Sequence, residues 1–262
     1  MKPKLLPIIL ALLLLASCTS QKKLAYLNNL PEPDGEEYFK MDYPDYKLQN
    51  KDILYITAKS MNPEGNIVDI LKGPGATSGI SYMESESGMF LNGFDVKTDG
   101  NIVLPVIGAL HVEGKTLEEI RNMLQEEFNK KFKNAIAECK LLSFKFTVIG
   151  EVNRPGTFAN FNNYLTVLEA VGRAGGVGDY GDRQKILVVR PFEKGSRTYT
   201  LNLQDKQILS SEAYFLLPND VVIVQPLKHK IFNLNLPTIS FIIGSFTSTI
   251  TMTLLLIDYF GK

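Results

Sequence analysis

Few residues in this chain have the type and spacing that acid–base or nucleophilic chemistry requires. The chain has 2 histidines, and no recognisable nucleophile motif lies near His111 or His229. The pattern Gly-x-Gly-x-x-Gly runs from Gly176 to Gly181, but it follows a predicted helix, whereas a phosphate-binding loop joins a strand to a helix. A glycine-rich helix exit explains this pattern better. These residues therefore indicate that the protein is not an enzyme.

Composition argues against several further classes of protein. Lysine plus arginine and aspartate plus glutamate each total 28, and this zero net charge argues against a nucleic-acid-binding protein, which normally has a basic excess. Hydrophobic residues make up 45% and charged residues 21%, which are values of a globular chain. With only 2 cysteines and 2 histidines, the sequence predicts neither a metal nor any other cofactor. Cys139 alternates with Ala137 and Leu141 and is expected in the core.

The cysteine with predicted chemistry is Cys18. Lys2 and Lys4 precede the apolar run Leu5–Ala16, which is shorter than the about 20 residues of a transmembrane helix, so residues 1–17 are predicted to be a secretory signal peptide. The small residues before Cys18 resemble the bacterial lipoprotein processing box, in which cleavage leaves the cysteine first and acylated. Thr19 follows the cysteine, and in Gram-negative lipoproteins this resemblance implies sorting to the outer membrane. The alternative is an ordinary signal peptide with an incidental cysteine.

Two β-rich units are predicted after a polar segment. Residues 18–45 are polar and interrupted by prolines, and they are expected to form a tether. The first unit (residues 46–142) and the second unit (residues 143–227) each contain strand-like segments and one helix. Both helices begin at a capping box, Thr116-Leu117-Glu118-Glu119 and Thr166-Val167-Leu168-Glu169. The pattern predicts an α+β fold with one helix packed on each mixed sheet.

Turns give the strand predictions more detail. The Asp99-Gly100 turn predicts a hairpin between Phe94–Lys97 and Ile102–Leu104. Leu48-x-x-x-Asp52 recurs as Leu216-x-x-x-Asp220, which predicts a similar turn-to-strand device in both units. The stretch 60–93 is rich in Gly, Ser, Pro and Asn and indicates a long loop or an insertion.

The last segment, residues 228–262, has no charged residue between Lys230 and Asp258. Its stretch 238–260 is long enough for a transmembrane helix, which needs about 20 residues. Small and polar side chains dominate one stripe when the helix is projected at about 100° per residue. The candidate pore-lining residues on that stripe are Ser240, Gly244, Thr247, Ser248, Thr251 and Asp258, beside Leu255. An adjoining apolar face contains Ile239, Ile243, Phe246, Ile250, Leu254 and Ile257. This arrangement predicts one helix in the wall of an oligomeric helical barrel.

Two other structures fit the same segment. A plain anchor helix also tolerates Ser and Thr, because their hydroxyls can bond to the carbonyl four residues earlier. Thr249 and Thr253 on the far side favour that interpretation. A β-strand fits the period-two alternation of Thr247, Thr249, Thr251 and Thr253, although a lone strand in lipid leaves its backbone unsatisfied.

The motifs of the two units resemble the outer-membrane polysaccharide export family. In the first unit Tyr46-Lys47-Leu48, Asp52-Ile53-Leu54 and residues 96–108 (VKTDGNIVLPVIG) resemble its polysaccharide export domain. In the second unit residues 148–156 (VIGEVNRPG), Ala174-Gly175-Gly176 and residues 217–224 (LPNDVVIV) resemble the soluble-ligand-binding β-grasp (SLBB) domain. The resemblance covers residues 46–226. Only one β-grasp unit is evident, where larger relatives carry more, which implies a shorter periplasmic body.

The resemblance implies a transport function. It implies a ring-shaped homo-oligomer in the periplasm, continuous with an outer-membrane pore for capsular polysaccharide or exopolysaccharide, with an inner-membrane polysaccharide co-polymerase as partner. The expected location is the outer membrane, with Cys18 lipid-anchored and the body in the periplasm. The alternative is a membrane-tethered lipoprotein that binds glycan or a partner protein without forming a channel.

Overall fold

A computed structural model describes residues 24–30, 35–62, 64–71, 92–192 and 194–260. The leader and Cys18 lie outside this part of the chain, as does most of the predicted loop at 60–93. Helices and strands follow in the order β1 (Ile53–Met61), β2 (Ile67–Asp69), β3 (Phe94–Asp95), β4 (Asn101–Leu104), β5 (Gly108–His111), α1 (Leu117–Asn129), β6 (Ile136–Leu141), β7 (Lys145–Gly150), β8 (Gly156–Ala159), α2 (Val167–Arg173), β9 (Gly181–Phe192), β10 (Gly195–Leu201), β11 (Val221–Pro226) and α3 (Lys228–Phe260).

The first unit is an antiparallel sheet covered by one helix. Strand β1 lies at its centre and pairs with β2, β3 and β6. Helix α1 begins at the predicted capping box, in which Glu119 N donates to Thr116 Oγ1 and Thr116 N donates to the Glu119 carboxylate. Its residues Ile120, Leu124 and Phe128 recur at helical spacing and are fully buried in the core of this unit.

The predicted hairpin at Asp99-Gly100 is wrong. The turn itself forms, since Gly100 N donates to Lys97 O at 2.9 Å and Gly100 has φ +76°. Strand β3, however, pairs with β1, and β4 pairs with β5. The turn therefore joins two different ladders, and Lys97 N still donates to Asn101 O at 2.9 Å across it.

The second unit is a mixed sheet in the order β10-β9-β11-β7-β8. Strands β7 and β11 are parallel, and all other neighbours are antiparallel. Helix α2 starts at the second capping box and ends at two left-handed glycines, Gly175 and Gly176, as predicted. Its Val171 packs with Phe146 and Ile186 in one core. The α+β class predicted from the sequence is confirmed, but among the described strands only the sheet of the second unit is mixed, since β1 makes antiparallel pairings alone in the first unit.

The two turn aspartates have the same structural role in both units. Asp52 Oδ2 accepts from Gln49 N at 2.9 Å, and Asp220 Oδ2 accepts from Leu217 N at 2.8 Å. In each case the carboxylate bonds to the amide three residues earlier and closes the turn that starts the next strand. The repeat seen in the sequence is thus a repeated turn, which fixes the starts of β1 and β11.

Candidate functional site

Helix α3 continues from the last strand of the second unit and carries all the candidate pore-lining residues. Within it, Asn235–Phe260 is long and apolar enough to cross a membrane, and none of the side chains in its most apolar window is buried inside the molecule. A soluble protein does not normally leave so large an apolar surface uncovered. The helix therefore needs a lipid environment, other copies of itself, or both.

The stripe of candidate residues is exposed along its whole length. Ser240, Gly244, Thr247, Ser248 and Thr251 all lie on the helix surface. Asp258 is exposed near its end. On the adjoining face Ile243, Phe246 and Ile250 are also exposed, at 58%, 68% and 55%. The helix thus presents a polar stripe and an apolar face, and neither is covered by the described residues of this chain.

The threonine hydroxyls of α3 bond back to the helix itself. Thr247 Oγ1 donates to Ile243 O at 3.1 Å, and Thr251 Oγ1 donates to Thr247 O at 2.8 Å. Thr249 and Thr253, on the opposite side, make the same bonds at 2.8 Å. Each hydroxyl has used its donor but keeps a lone pair, so the stripe can still accept hydrogen bonds. The back-bonding occurs on both sides and does not distinguish a pore helix from an anchor helix.

The base of α3 is fixed to the second unit by a short loop. Leu227 N donates to Tyr180 O at 2.7 Å, and the Lys230 ammonium forms an ion pair with Glu151. Gly178 N donates to Glu151 O at 2.9 Å. The loop Gly176–Gly181 and the residues after β7 are therefore joined, and both contact the start of α3. This is the Gly-x-Gly-x-x-Gly pattern, and it follows α2 as predicted.

The start of the described chain lies against the same unit. Leu27 N donates to Leu203 O and Asn28 N donates to Gln204 O, both at 2.9 Å. Val177 N donates to the Tyr26 hydroxyl at 3.3 Å. Sequence reasoning missed these contacts, because residues 24–30 have no strand or helix periodicity. The contact between Glu151 and Lys230 was also missed, since the sequence offers no signal that joins residues so far apart.

The other residues with candidate chemistry do not form a common site. Among the described residues no group of His, Cys, Asp and Glu is arranged to hold a metal ion. His111 is exposed on β5, where its Nδ1 lies 3.1 Å from Asn101 Oδ1. Asp99 accepts from Asn101 N at 3.1 Å and closes a turn. Cys139 packs against the core of the first unit, and burial raises the pKa of its thiol to about 12.

Two family models match the chain, one for each unit. The model for polysaccharide biosynthesis/export proteins matches residues 41–141, and the model for the SLBB domain matches residues 144–224. Together they cover most of the described residues outside α3. The chain belongs to the polysaccharide export protein family.

Two similar proteins come from species of Ralstonia. The chain is 29% identical over 140 residues to the EPS I polysaccharide export outer membrane protein EpsA of Ralstonia solanacearum. It is 30% identical over 117 residues to the protein of the same name from Ralstonia nicotianae. These matches cover 51% and 43% of this chain but only 36% and 30% of the relatives. The chain therefore aligns with about a third of the length of each relative.

Proposed function

We propose that this protein is a subunit of an outer-membrane translocon for capsular polysaccharide or exopolysaccharide, in which the C-terminal helices of several copies line a pore. The observation that carries this proposal is α3, an uncovered apolar helix with a polar stripe that ends in Asp258. Membership of the export family and the names of the relatives support polysaccharide as the substrate. The proposed role is transport and not catalysis.

The lining suits a conduit for a long hydrophilic polymer. A Thr hydroxyl that already donates to the helix backbone can still accept a hydrogen bond from water. It has no free donor with which to bind a sugar tightly. Strong binding sites would slow conduction. Synthesis of the polymer behind the pore then supplies the drive, with an inner-membrane co-polymerase as partner.

Several copies are required on physical grounds. One helix cannot enclose water, whereas a ring of helices can place every polar stripe inside and every apolar face in lipid. We propose a ring homo-oligomer whose folded body stands in the periplasm. The acyl group on Cys18 is proposed as a second attachment that orients assembly and is not needed for insertion of α3.

The test is the accessibility of single cysteines along α3 in intact cells, in a Cys139→Ala background. Ser240→Cys, Thr247→Cys and Thr251→Cys probe the stripe, and Ile243→Cys, Phe246→Cys and Ile250→Cys are matched controls on the apolar face. We expect a membrane-impermeant thiol reagent to label the stripe alone. Absence of labelling on both faces would indicate a plain anchor helix. A tethered glycan- or partner-binding lipoprotein would then be the better conclusion.

The role of Cys18 has its own test. Cys18→Ala should leave α3 inserted in the membrane, because the helix has the length and apolarity to insert by itself. Membrane fractions and native gels would report insertion and assembly separately. Loss of export activity although the variant inserts and assembles normally would contradict a role limited to orienting assembly.

A further inference from the structure

The segment that follows the proposed lipid anchor is docked on the second unit by two backbone hydrogen bonds. Leu27 and Asn28 donate to the carbonyls of Leu203 and Gln204, both at 2.9 Å. These two carbonyls lie in the turn that follows β10, so the segment is hydrogen-bonded to that turn and not to a strand. The Leu27 side chain packs against the core of the second unit, where Leu203 is fully buried. A flexible tether behaves as a random coil and does not make such specific contacts, so residues 24–30 are a docked segment.

Side chains on either side of Leu27 reinforce the docking. The Tyr26 hydroxyl accepts from Val177 N at 3.3 Å, and the Arg183 guanidinium lies 5.6 Å from the centre of the Tyr26 ring. Asn29 Nδ2 donates to Asp205 Oδ1 at 3.0 Å, and Asn29 Oδ1 accepts from Lys206 N at 2.7 Å. The amide of Asn29 thus caps the turn at Asp205 from outside. This short segment therefore makes both apolar and polar contacts with one surface.

The docked segment and the base of α3 meet at the same loop. Val177, which contacts Tyr26, belongs to the loop Gly176–Gly181. Tyr180 in that loop accepts from Leu227 N at 2.7 Å, just before α3 begins. The two ends of the described chain therefore leave the second unit from one edge.

Chain length limits how far each end can reach from that edge. The stretch from Cys18 to Leu24 spans at most about 20 Å even when fully extended. The part of α3 from Lys228 to Asn235, before the apolar span begins, rises about 10 Å. An acyl group on Cys18 and the start of the membrane span are thus both held within a short distance of the loop.

We propose that residues 24–30 act as a latch that ties the lipid anchor to the base of α3, and that the loop Gly176–Gly181 faces a lipid surface. The membrane attachments themselves rest on the proposed function above. The partner of this edge is the headgroup layer of the leaflet that holds the acyl chains. The latch fixes where the second unit stands relative to the membrane, and it keeps anchor and helix of one subunit together during assembly.

The latch is tested by hydrogen exchange on the purified full-length mature chain in lipid nanodiscs. We expect the amides of Leu27 and Asn28 to exchange at least tenfold more slowly than the rate of an unstructured chain. The double variant Tyr26→Ala/Asn29→Ala should raise their exchange at least tenfold. Tyr38→Ala is the matched control, because Tyr38 lies in the same N-terminal segment and is 89% exposed. Unprotected Leu27 and Asn28 amides in the unsubstituted chain would overturn the latch.

Failure of lipidation gives a different result from failure of the latch. The contacts lie within the polypeptide, so Cys18→Ser should keep slow exchange at Leu27 and Asn28 although mass spectrometry finds no acyl group. Slow exchange in that variant supports the latch whatever the fate of the anchor. If Leu27 and Asn28 exchanged fast only when the acyl group is missing, the contact would depend on lipid, and the latch as proposed would be overturned.

Proximity to lipid is tested with a fluorophore on the exposed loop residue, as Asp179→Cys in a Cys139→Ala background. The vesicles contain phospholipids with a nitroxide on the headgroup. A fluorophore on Lys97→Cys, on an exposed turn of the first unit, is the control. We expect at least twofold stronger quenching at position 179 than at position 97. Equal quenching at both positions would overturn the membrane-facing assignment of the loop.

Discussion

Asp220 and Arg190 form an ion pair that is buried inside the second unit. Arg190 Nε and Nη2 donate to the carboxylate at 2.9–3.2 Å, and the two side chains are only 0% and 6% exposed. Arg190 Nη2 also donates to Phe215 O at 2.8 Å. The carboxylate therefore links the turn before β11 to β9, which explains why a turn residue lies in the core.

Removing this carboxylate should destabilise the protein strongly. Asp220→Ala leaves the Arg190 charge buried without an opposite charge, and we expect a loss of about 3–5 kcal/mol in the free energy of unfolding. Urea unfolding of the second unit, followed by circular dichroism in detergent, measures the loss. Glu118→Ala is the control, because its ion pair with Arg121 is exposed and should contribute nothing measurable. A loss below about 1 kcal/mol for Asp220→Ala would contradict this role of the pair.

Cys139 should react very slowly with thiol reagents in the folded protein. Burial raises the pKa of its thiol to about 12. The thiolate fraction at pH 8 is then about 10⁻⁴, compared with about a quarter for an ordinary cysteine, so labelling should slow about 10³-fold. The rate should rise about tenfold per pH unit up to the pKa, because only the thiolate reacts. Quenched labelling followed by mass spectrometry measures this rate. Fast reaction at neutral pH without unfolding would contradict the raised pKa of the Cys139 thiol.

At the level of helices and strands, local signals in the sequence predicted local structure well. The capping boxes at Thr116 and Thr166 form, because both bonds of the box depend on residues three positions apart. The turns at Asp52 and Asp220 form for the same reason. Strand pairing after Asp99-Gly100 was predicted wrongly, because the choice of partner depends on the whole sheet and not on the turn.

Gly150 is a point where strand geometry requires glycine. It has φ +92° at the end of β7, and a Cβ there would overlap the carbonyl oxygen of Val224 on the paired strand β11. Gly150→Ala should cost about 1–3 kcal/mol from backbone strain alone, and it should loosen the adjacent Glu151–Lys230 contact. Thermal unfolding measures the cost. Gly195→Ala is the control, because nothing lies within 4 Å of a Cβ built there.

At the level of the whole molecule, the sequence indicated the parts better than their arrangement. The apolar run of α3 is visible because a membrane span is a property of one continuous segment. The docking of residues 24–30 is not visible, because Tyr26 and Asn29 find their partners more than a hundred residues away. Folding therefore brings residues 24–30 and the base of α3 to the same loop, although no local motif in the sequence predicts this contact.

The orientation of α3 decides whether the molecule forms a pore, and two adjacent substitutions separate the possibilities. Thr247 lies on the polar stripe and Phe246 on the apolar face, at nearly the same depth, since one residue rises about 1.5 Å. Phe246→Asp should place a carboxylate in lipid at a cost of about 2.5–3.5 kcal/mol and reduce membrane insertion and assembly. Thr247→Asp should insert and assemble normally if the proposed ring forms, because its carboxylate would then face water inside that ring. Carbonate extraction and native gels measure both, and equal losses would mean that lipid surrounds the whole helix.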